Sequence, residues 1–147
     1  MDNLSKFAET LDSLMFEQKI TATQLAAAIG LDLATISRAL HAQYTPSVNT
    51  LLKLADFFNC TTDYLLGREP ENYPSAFLPC PPFAEQLVRL KERFNCPWCH
   101  FYKHAQISAS RFYEWKSGSR EPTLNGIIAL ADGFDVTVDY ILGRVKN

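Results

Sequence analysis

The chain has no excess of positive charge, and this shortage removes the simplest argument for nucleic-acid binding. Its 147 residues carry 14 Lys and Arg against 16 Asp and Glu, a formal net charge of −2. Domains that bind nucleic acids are usually basic. If this chain binds DNA, a few charged side chains at chosen positions must make the contact, because the total charge does not favour it.

Long apolar runs and a signal peptide are also missing. No stretch approaches the ~18 consecutive apolar residues of a membrane span. The first residues lack the basic segment and apolar run of a secretory signal. We therefore expect a soluble, cytoplasmic protein with no membrane partner. Its four cysteines are then expected to be reduced; they are Cys60, Cys80, Cys96 and Cys99.

The chain repeats itself at an offset of 76 residues. Residues 7–68 align on residues 83–144 without a gap, with 17 identities in 62 positions, most of them apolar or turn residues. An internal repeat of this length indicates a duplicated domain. The predicted boundaries are copy one at 1–68, a linker at 69–82 and copy two at 83–147.

The predicted linker is rich in proline. It holds five of the eight prolines, including Pro74, and such a segment favours extended polyproline geometry over helix. Its residues can reach about 43 Å at ~3.1 Å each. Phe77 and Leu78 are apolar residues within it, and we expect them to pack on a domain surface.

Each copy has the pattern of short amphipathic helices, with apolar residues at i, i+3, i+4 and i+7. Thr21 and Gln24 predict a capping box, and Gly30 predicts the end of the helix that this box begins. The other predicted N-caps in copy one are Asp32, Ser47 and either Thr61 or Thr62. No strand-like alternation appears, so the predicted fold class is all-α.

Residues 96–100 of copy two, Cys-Pro-Trp-Cys-His, match patterns for c-type haem attachment and for redox sites. The missing export signal argues against haem, and the helical repeat argues against the strand that a thioredoxin-like site needs. A single zinc ion cannot collect Cys96 and His104, because ~12 Å separates them along a helix. We interpret Cys96 as a core residue with Pro97 at the first helical position; thiol-based sensing stays open as an alternative.

Nothing else in the chain suggests catalysis. It has no paired carboxylates in a cleft-forming context, no nucleophile elbow and no phosphate-binding glycine loop. The sequence therefore predicts a protein that is not an enzyme and that uses no metal or cofactor.

One combination of residues lies at 25–31, 35–38, 46–47, 51–55 and 63–67 in copy one and at 113–122, 128–132 and 139–143 in copy two. On these residues, the sequence resembles the lambda repressor–Cro (XRE) helix-turn-helix family. The resemblance covers about residues 4–68 and 82–144. It implies two tandem five-helix, lambda-repressor-like domains that bind double-stranded DNA.

Copy two departs from the family pattern at the turn. The family has a small residue where the two motif helices touch, a glycine in the turn and a branched apolar residue inside the second helix, and copy one matches with Ala26, Gly30 and Ile36. Copy two has bulkier residues at these places, which are Tyr102, Gln106 and Phe112. We expect the first motif helix of copy two to sit differently or to pack less closely. The glutamine that often begins this helix in the family is replaced by Ala22 and Trp98.

The resemblance implies which residues face DNA, because the second motif helix of the family lies in the major groove. The implied DNA-binding residues of copy one are Thr23, Ala34, Thr35, Ser37, Arg38, His41 and Ser47. Those of copy two are Ser110, Arg111, Tyr113, Glu114, Lys116 and Arg120. Arg38 and Arg111 are expected to matter most, because a guanidinium can bridge two guanine acceptors. The alternative is that both arginines lie on a solvated face.

The sequence therefore predicts a repressor-like transcriptional regulator, acting as an intramolecular pseudo-dimer or as a homodimer. The competing hypothesis is a protein-interaction module in which one or both copies no longer read DNA. Within the aligned repeat, residues 7–68 hold four basic and six acidic residues, and residues 83–144 hold eight basic and seven acidic residues. That imbalance, the altered turn of copy two and the expected exposure of Trp98 and Tyr102 favour this second hypothesis.

Overall fold

The structure is a computed structural model that describes residues 3–73 and 76–145 and divides into two compact units between Ala76 and Phe77. Pro74 and the outermost residues of both predicted domains lie outside the described residues. Within the described ranges every regular element is a helix, which confirms the all-α prediction. None of these helices is long and apolar enough to cross a membrane.

The described residues of unit 1 form five helices, which are α1 (Asn3–Gln18), α2 (Ala22–Ile29), α3 (Leu33–Leu40), α4 (Val48–Phe58) and α5 (Thr62–Leu65). The predicted capping box begins α2: Thr21 Oγ1 accepts from the amide of Gln24 at 3.2 Å, and Gln24 Oε1 accepts from that of Thr21 at 2.9 Å. Ser47 and Thr61 cap α4 and α5. Asp32 occupies the N-cap of α3, but its side chain makes no capping hydrogen bond, so that part of the prediction was wrong.

Unit 2 also contains five helices in its described residues, α6 (Phe83–Phe94), α7 (Trp98–His104), α8 (Ala109–Ser117), α9 (Leu124–Phe134) and α10 (Val138–Leu142). Ser108, Thr123 and Thr137 cap the last three through their hydroxyl oxygens. Pro97 was predicted at the first helical position, but it is the N-cap of α7. Its ψ of 148° is extended, so the helix begins one residue later.

Left-handed backbone recurs at the repeat offset of 76 residues. Among the residues that the structure describes, those with positive φ fall into five pairs, which are Lys19/Asn95, Gly30/Gln106, Ala42/Gly118, Asn59/Asp135 and Gly67/Gly143. Each pair lies where a helix or a short turn ends, the place at which left-handed residues normally terminate helices. The chain therefore leaves its helices with the same geometry in both units, even where the residue is not glycine.

Gln106 holds the left-handed conformation of the motif turn with φ +57°, where Gly30 has φ +70° in unit 1. A residue with a side chain at such a φ is strained by about 1–2 kcal/mol, and replacing it with glycine relieves this strain. Part of the relief is lost again, because glycine has a larger conformational entropy in the unfolded state. Gln106→Gly is therefore expected to stabilise unit 2 by about 0.5–1 kcal/mol. Urea unfolding followed by tryptophan fluorescence measures it, since both tryptophans lie in unit 2. Gln106→Ala is the control, and an equal gain there would contradict a backbone cause.

Corresponding helices pack against each other in the same combinations in the two units, with one difference. In unit 1, α1 packs on α3 and α5, and α2 packs on α3 and α4; in unit 2, α6 packs on α8 and α10, and α7 packs on α9. The helices α2 and α3 approach closely because the small Ala26 is buried at their crossing beside Ile36. The helices α7 and α8 do not form a comparably close pair. The bulkier residues at the corresponding positions of unit 2 account for this difference, as the sequence predicted.

The core of unit 2 differs from that of unit 1 at two positions, because one residue is much larger in unit 2 and another is smaller. Trp115 is fully buried at the position of Ala39, and Gly126 takes the position of Thr50. A Cβ atom at Gly126 would overlap Cη2 of Trp115 and would lie 2.8 Å from Cζ2. The indole therefore occupies the space that a side chain on α9 would otherwise fill.

Each unit joins the start of its last helix to the turn that follows by an ion pair. Asp139 Oδ1 accepts from Arg144 Nη1 at 2.6 Å, with both side chains almost completely buried. Asp63 Oδ1 accepts from Arg68 Nε at 3.1 Å, and the Arg68 side chain keeps 22% of its surface exposed. The pair in unit 2 is therefore the more strongly desolvated one.

The segment predicted as a linker is partly packed on its own neighbours. Asn72 Oδ1 accepts from the amide of Thr61 at 3.2 Å in unit 1. In unit 2 the Arg144 guanidinium lies 4.1 Å from the centre of the Phe77 ring, and the amide of Leu78 donates to the Arg144 carbonyl at 2.7 Å. Phe77 and Leu78 therefore lie on a domain surface, as expected from their apolar side chains.

Candidate nucleic-acid interface

Helix α3 presents an accessible, mainly polar stripe opposite its buried face. Ile36 and Ala39 are buried on one face of the helix. On the opposite face lies a set of residues with the i, i+3, i+4, i+7 spacing of a single helix face, which we call the α3 stripe. The α3 stripe consists of Ala34, Ser37, Arg38 and His41. Ala34, Arg38 and His41 are exposed and Ser37 is half-buried. The sequence-predicted residues of this helix thus lie on a single accessible face, except for the half-buried Thr35 beside it.

Arg38 and His41 give the α3 stripe its hydrogen-bonding groups. The Arg38 guanidinium is exposed and makes no hydrogen bond or ion pair with any described residue, so all its donors face solvent. His41 Nδ1 donates to the Ser37 carbonyl at 2.7 Å, which holds the imidazole against the end of the helix. The stripe therefore combines the unpaired N–H donors of Arg38 with the fixed imidazole ring of His41.

The remaining predicted residues of unit 1 flank the stripe at helix starts. Thr23 is exposed in the first turn of α2. Ser47 uses its hydroxyl within the helix start, because Oγ accepts from the Thr50 amide at 3.1 Å and bonds the Thr50 hydroxyl at 3.0 Å. Asp32 is exposed at the start of α3, where its charge opposes an approaching phosphate.

The corresponding stripe of α8 carries different chemistry. The α8 stripe consists of Ser110, Tyr113, Glu114 and Ser117. Glu114 stands where α3 has Arg38, and Tyr113 stands where α3 has Ser37. Arg120 Nε donates to Glu114 Oε2 at 3.0 Å. Both residues were predicted from the sequence to bind DNA, but their ion pair was not predicted. Their opposite charges, on the last part of one helix and in the turn that follows it, could have indicated the pair.

Arg111 is an exposed cation on α8. Its side chain makes no hydrogen bond or ion pair within the described part of the chain. It corresponds to Thr35 in α3, so the two arginines occupy different helix positions. Lys116 lies with Nζ 4.6 Å from the centre of the Trp98 ring and 5.4 Å from that of Tyr113. Its charge is therefore partly held by aromatic faces.

Trp98 and Tyr102, which the sequence predicted to be exposed, are half-buried. The Trp98 ring packs 5.7 Å from both Phe101 and Phe112, and the Tyr102 ring packs 5.6 Å from Phe112. Unit 2 has aromatic rings where unit 1 has small aliphatic side chains, and these rings cover one another. The exposure argument for a protein-interaction surface at these two residues was therefore wrong.

The Cys-Pro-Trp-Cys-His segment does not converge on one point. Cys96 is buried, in agreement with its interpretation as a core residue, whereas Cys99 and His100 are exposed. His104 stacks on the Phe134 ring at 4.7 Å. Among residues 3–73 and 76–145, no three His, Cys, Asp or Glu side chains are arranged to hold a metal ion.

Comparison with known proteins supports the motif in unit 1. A helix-turn-helix family profile matches residues 14–65. An uncharacterized HTH-type transcriptional regulator of Rickettsia conorii is 32% identical over 72 residues, covering 46% of this chain and 66% of that protein. One from Rickettsia prowazekii is 32% identical over 72 residues, covering 46% of this chain and 78% of that protein. The HTH-type transcriptional regulator AnsR of Bacillus subtilis is 33% identical over 63 residues, covering 43% of this chain and 54% of that protein.

The matched part of this chain spans less than two thirds of the R. conorii and B. subtilis relatives and more than three quarters of the R. prowazekii one. No solved structure matches the chain. The profile covers the two crossing helices with the exposed α3 stripe, and the alignments are to proteins named for the same motif. The chain belongs to the helix-turn-helix family of transcriptional regulators.

Proposed function

We propose that this protein is a DNA-binding transcriptional regulator of repressor type, in which α3 enters the major groove and reads base edges. The observation that carries the proposal is the α3 stripe with its unpaired Arg38 guanidinium. A B-form major groove is about 12 Å wide and admits an α-helix, and a bidentate arginine–guanine contact contributes about 1–3 kcal/mol of discrimination.

Contacts to the DNA backbone complete this proposal. The exposed Thr23 and the first amides of α4, next to Ser47, flank α3 and can donate to phosphates. Backbone contacts fix the register of the helix, whereas Arg38 supplies the sequence preference. With a net charge of −2 for the whole chain, sequence-independent attraction is weak, so these placed contacts carry most of the affinity.

We further propose that the chain holds two tandem helix-turn-helix domains, at 1–68 and 83–147, joined by the 69–82 linker. The matching helix starts and the five paired left-handed positions support this assignment. Two arrangements are compatible with it. One chain can read two half-sites ~34 Å apart, or two chains can each place one domain on DNA.

Replacing Arg38 with alanine is expected to weaken binding to a duplex selected from a random DNA library by about 5- to 150-fold, because one bidentate contact of about 1–3 kcal/mol is lost. Fluorescence anisotropy of the full chain at fixed salt measures the change. Lys6→Gln is the matched control, since it removes one positive charge from α1, next to Gly67 and away from the α3 stripe. Selection that yields no preferred duplex, or an Arg38→Ala chain that binds like wild type, would contradict the groove proposal.

Unit 2 supports a second candidate function, as an assembly or protein-interaction domain. The observation favouring it is the replacement of an unpaired arginine by the paired Glu114 on the helix face that should read DNA. Arg111→Ala in the same anisotropy experiment separates the candidates. A loss like that of Arg38→Ala supports DNA reading by both domains, and an unchanged affinity supports the interaction role for unit 2.

A further inference from the structure

Unit 2 contains a cavity of about 360 Å³ between α6, α10 and the segments that flank them. Its size lies in the range of small-molecule pockets. Leu78, Leu90 and Val145 form an apolar part of its wall, and Arg89, Arg93 and Tyr140 form a polar part. The cavity lies on elements other than the α8 stripe.

The polar wall is positively charged through two arginines. Arg89 is exposed and makes no hydrogen bond or ion pair with the described residues. Arg93 Nη1 donates to the Tyr140 hydroxyl at 3.4 Å, and its guanidinium carbon lies 5.6 Å from the centre of that ring. A guanidinium has five N–H donors, so most of those of Arg93 remain available. None of the cavity-lining residues is acidic.

The cavity is built by a close approach of α6 to the end of α10. Gln86 is buried and its Nε2 donates to the Tyr140 carbonyl at 3.3 Å. Gly143 follows with φ +84°, and a Cβ there would lie 2.8 Å from Gln86 Oε1. These contacts fix the backbone of Tyr140, and the Tyr140 ring in turn orders the guanidinium of Arg93. The donors of Arg93 are therefore positioned before any ligand binds, which lowers the entropic cost of binding to this arginine.

Unit 1 has the same cavity with the opposite charge. A space of about 310 Å³ is lined there by Tyr64 and Gly67, which correspond to Tyr140 and Gly143 at the repeat offset. Its charged lining residues are Lys6, Glu9 and Glu69. The fold thus produces the cavity in both units, but it does not require arginines there, since Ser13 and Glu17 occupy the positions of Arg89 and Arg93.

We propose that the cavity of unit 2 binds a small organic carboxylate, with Arg89 and Arg93 holding the carboxylate and with Leu78, Leu90 and Val145 covering an apolar body. Arginine recognises carboxylates through paired N–H donors. The apolar wall favours an organic anion over the phosphates of a duplex, which offer no apolar surface to bury. The proposal goes beyond the DNA-binding function and does not depend on it.

The test is a titration of the full chain with 3-phenylpropionate, followed by amide chemical shifts in two-dimensional NMR at constant ionic strength. The expected result is saturable binding with a Kd at or below about 1 mM. The shifted amides should belong to α6 and α10, and those of α1 and α5 should stay in place. Arg93→Gln and Arg89→Gln should each weaken this binding about tenfold or more, since each removes a charge-assisted hydrogen bond. Lys103→Gln, an exposed charge on α7, should leave it unchanged.

Two control ligands test the two halves of the proposal. The uncharged 3-phenylpropanamide should bind at least about tenfold more weakly, and inorganic phosphate should also bind more weakly because it lacks an apolar body. Equal binding of the amide, equal binding of phosphate, or shifts spread over both units would overturn the assignment. So would arginine variants that lose DNA affinity while 3-phenylpropionate causes no shift, since the arginines would then serve DNA.

Discussion

Gly126→Thr, which restores the residue of unit 1, is expected to destabilise unit 2 by about 2–3 kcal/mol. A Cβ at this position overlaps the buried indole of Trp115, and forcing extra atoms into a packed core costs about 1–3 kcal/mol. Urea unfolding followed by tryptophan fluorescence measures the loss. Thr50 is accommodated as a buried residue in unit 1, where the residue that corresponds to Trp115 is the much smaller Ala39.

The reverse change identifies the cause. Trp115→Ala is expected to cost about 3–5 kcal/mol, because it leaves a cavity in the core. The double variant Trp115→Ala with Gly126→Thr should lose less stability than the two single variants lose together, by at least about 1 kcal/mol. The reason is that the threonine side chain then fills part of the space that the indole leaves. Strict additivity in this double-mutant cycle would show that the two positions are not coupled.

Trp115→Phe is the matched control for this pair. The buried indole N–H of Trp115 has no hydrogen-bond acceptor in the described residues, so losing it removes no bond. Phenylalanine keeps most of the ring volume, and we expect a loss of less than about 1.5 kcal/mol. A loss as large as that of the alanine variant would indicate that the indole nitrogen, and not the packing, stabilises unit 2.

Asp139→Asn is expected to be the most damaging isosteric change, with a loss of about 3–5 kcal/mol in unit 2. It leaves the guanidinium of Arg144, whose side chain is 1% exposed, buried beside a neutral amide. Removing one partner of a buried ion pair has this cost because the other charge keeps its desolvation penalty. Amide hydrogen exchange of the full chain measures each unit separately.

Asp63→Asn provides the matched control in unit 1. Water reaches the partner Arg68, whose side chain is 22% exposed, so we expect a clearly smaller loss, on the order of 1 kcal/mol. Equal losses in the two units would mean that burial of the arginine does not set the cost. A neutral Asp139→Asn would show that the pair adds nothing beyond its hydrogen bonds.

The sequence predicted helix starts well wherever a hydroxyl caps the helix. Ser47 places its oxygen on the amide of Thr50, and Thr21 does so within a capping box, so the local signal and the tertiary structure agree. Asp32 lies at the right position without making the bond, because position in the chain does not fix a side-chain rotamer. Pro97 precedes its helix by one residue, a shift within the normal uncertainty of helix ends.

The candidate site could be predicted only in part. Helical periodicity was enough to place Arg38 on an exposed face, because Ile36 and Ala39 define the opposite face. The pairing of Glu114 with Arg120 depends on how the turn after α8 folds back, which periodicity does not describe. The cavity beside Arg93 depends on the approach of α6 to α10, between residues more than 40 positions apart.

The complementary sizes of Trp115 and Gly126 also bear on how the two halves of the gene can change. Unequal recombination that joined the first three helices of unit 1 to the last two of unit 2 would set Ala39 against Gly126 and leave a void. The reciprocal crossover would set Trp115 against Thr50 and produce a clash. Both products would fold poorly, so this single pair of residues keeps the helices of one unit from replacing those of the other.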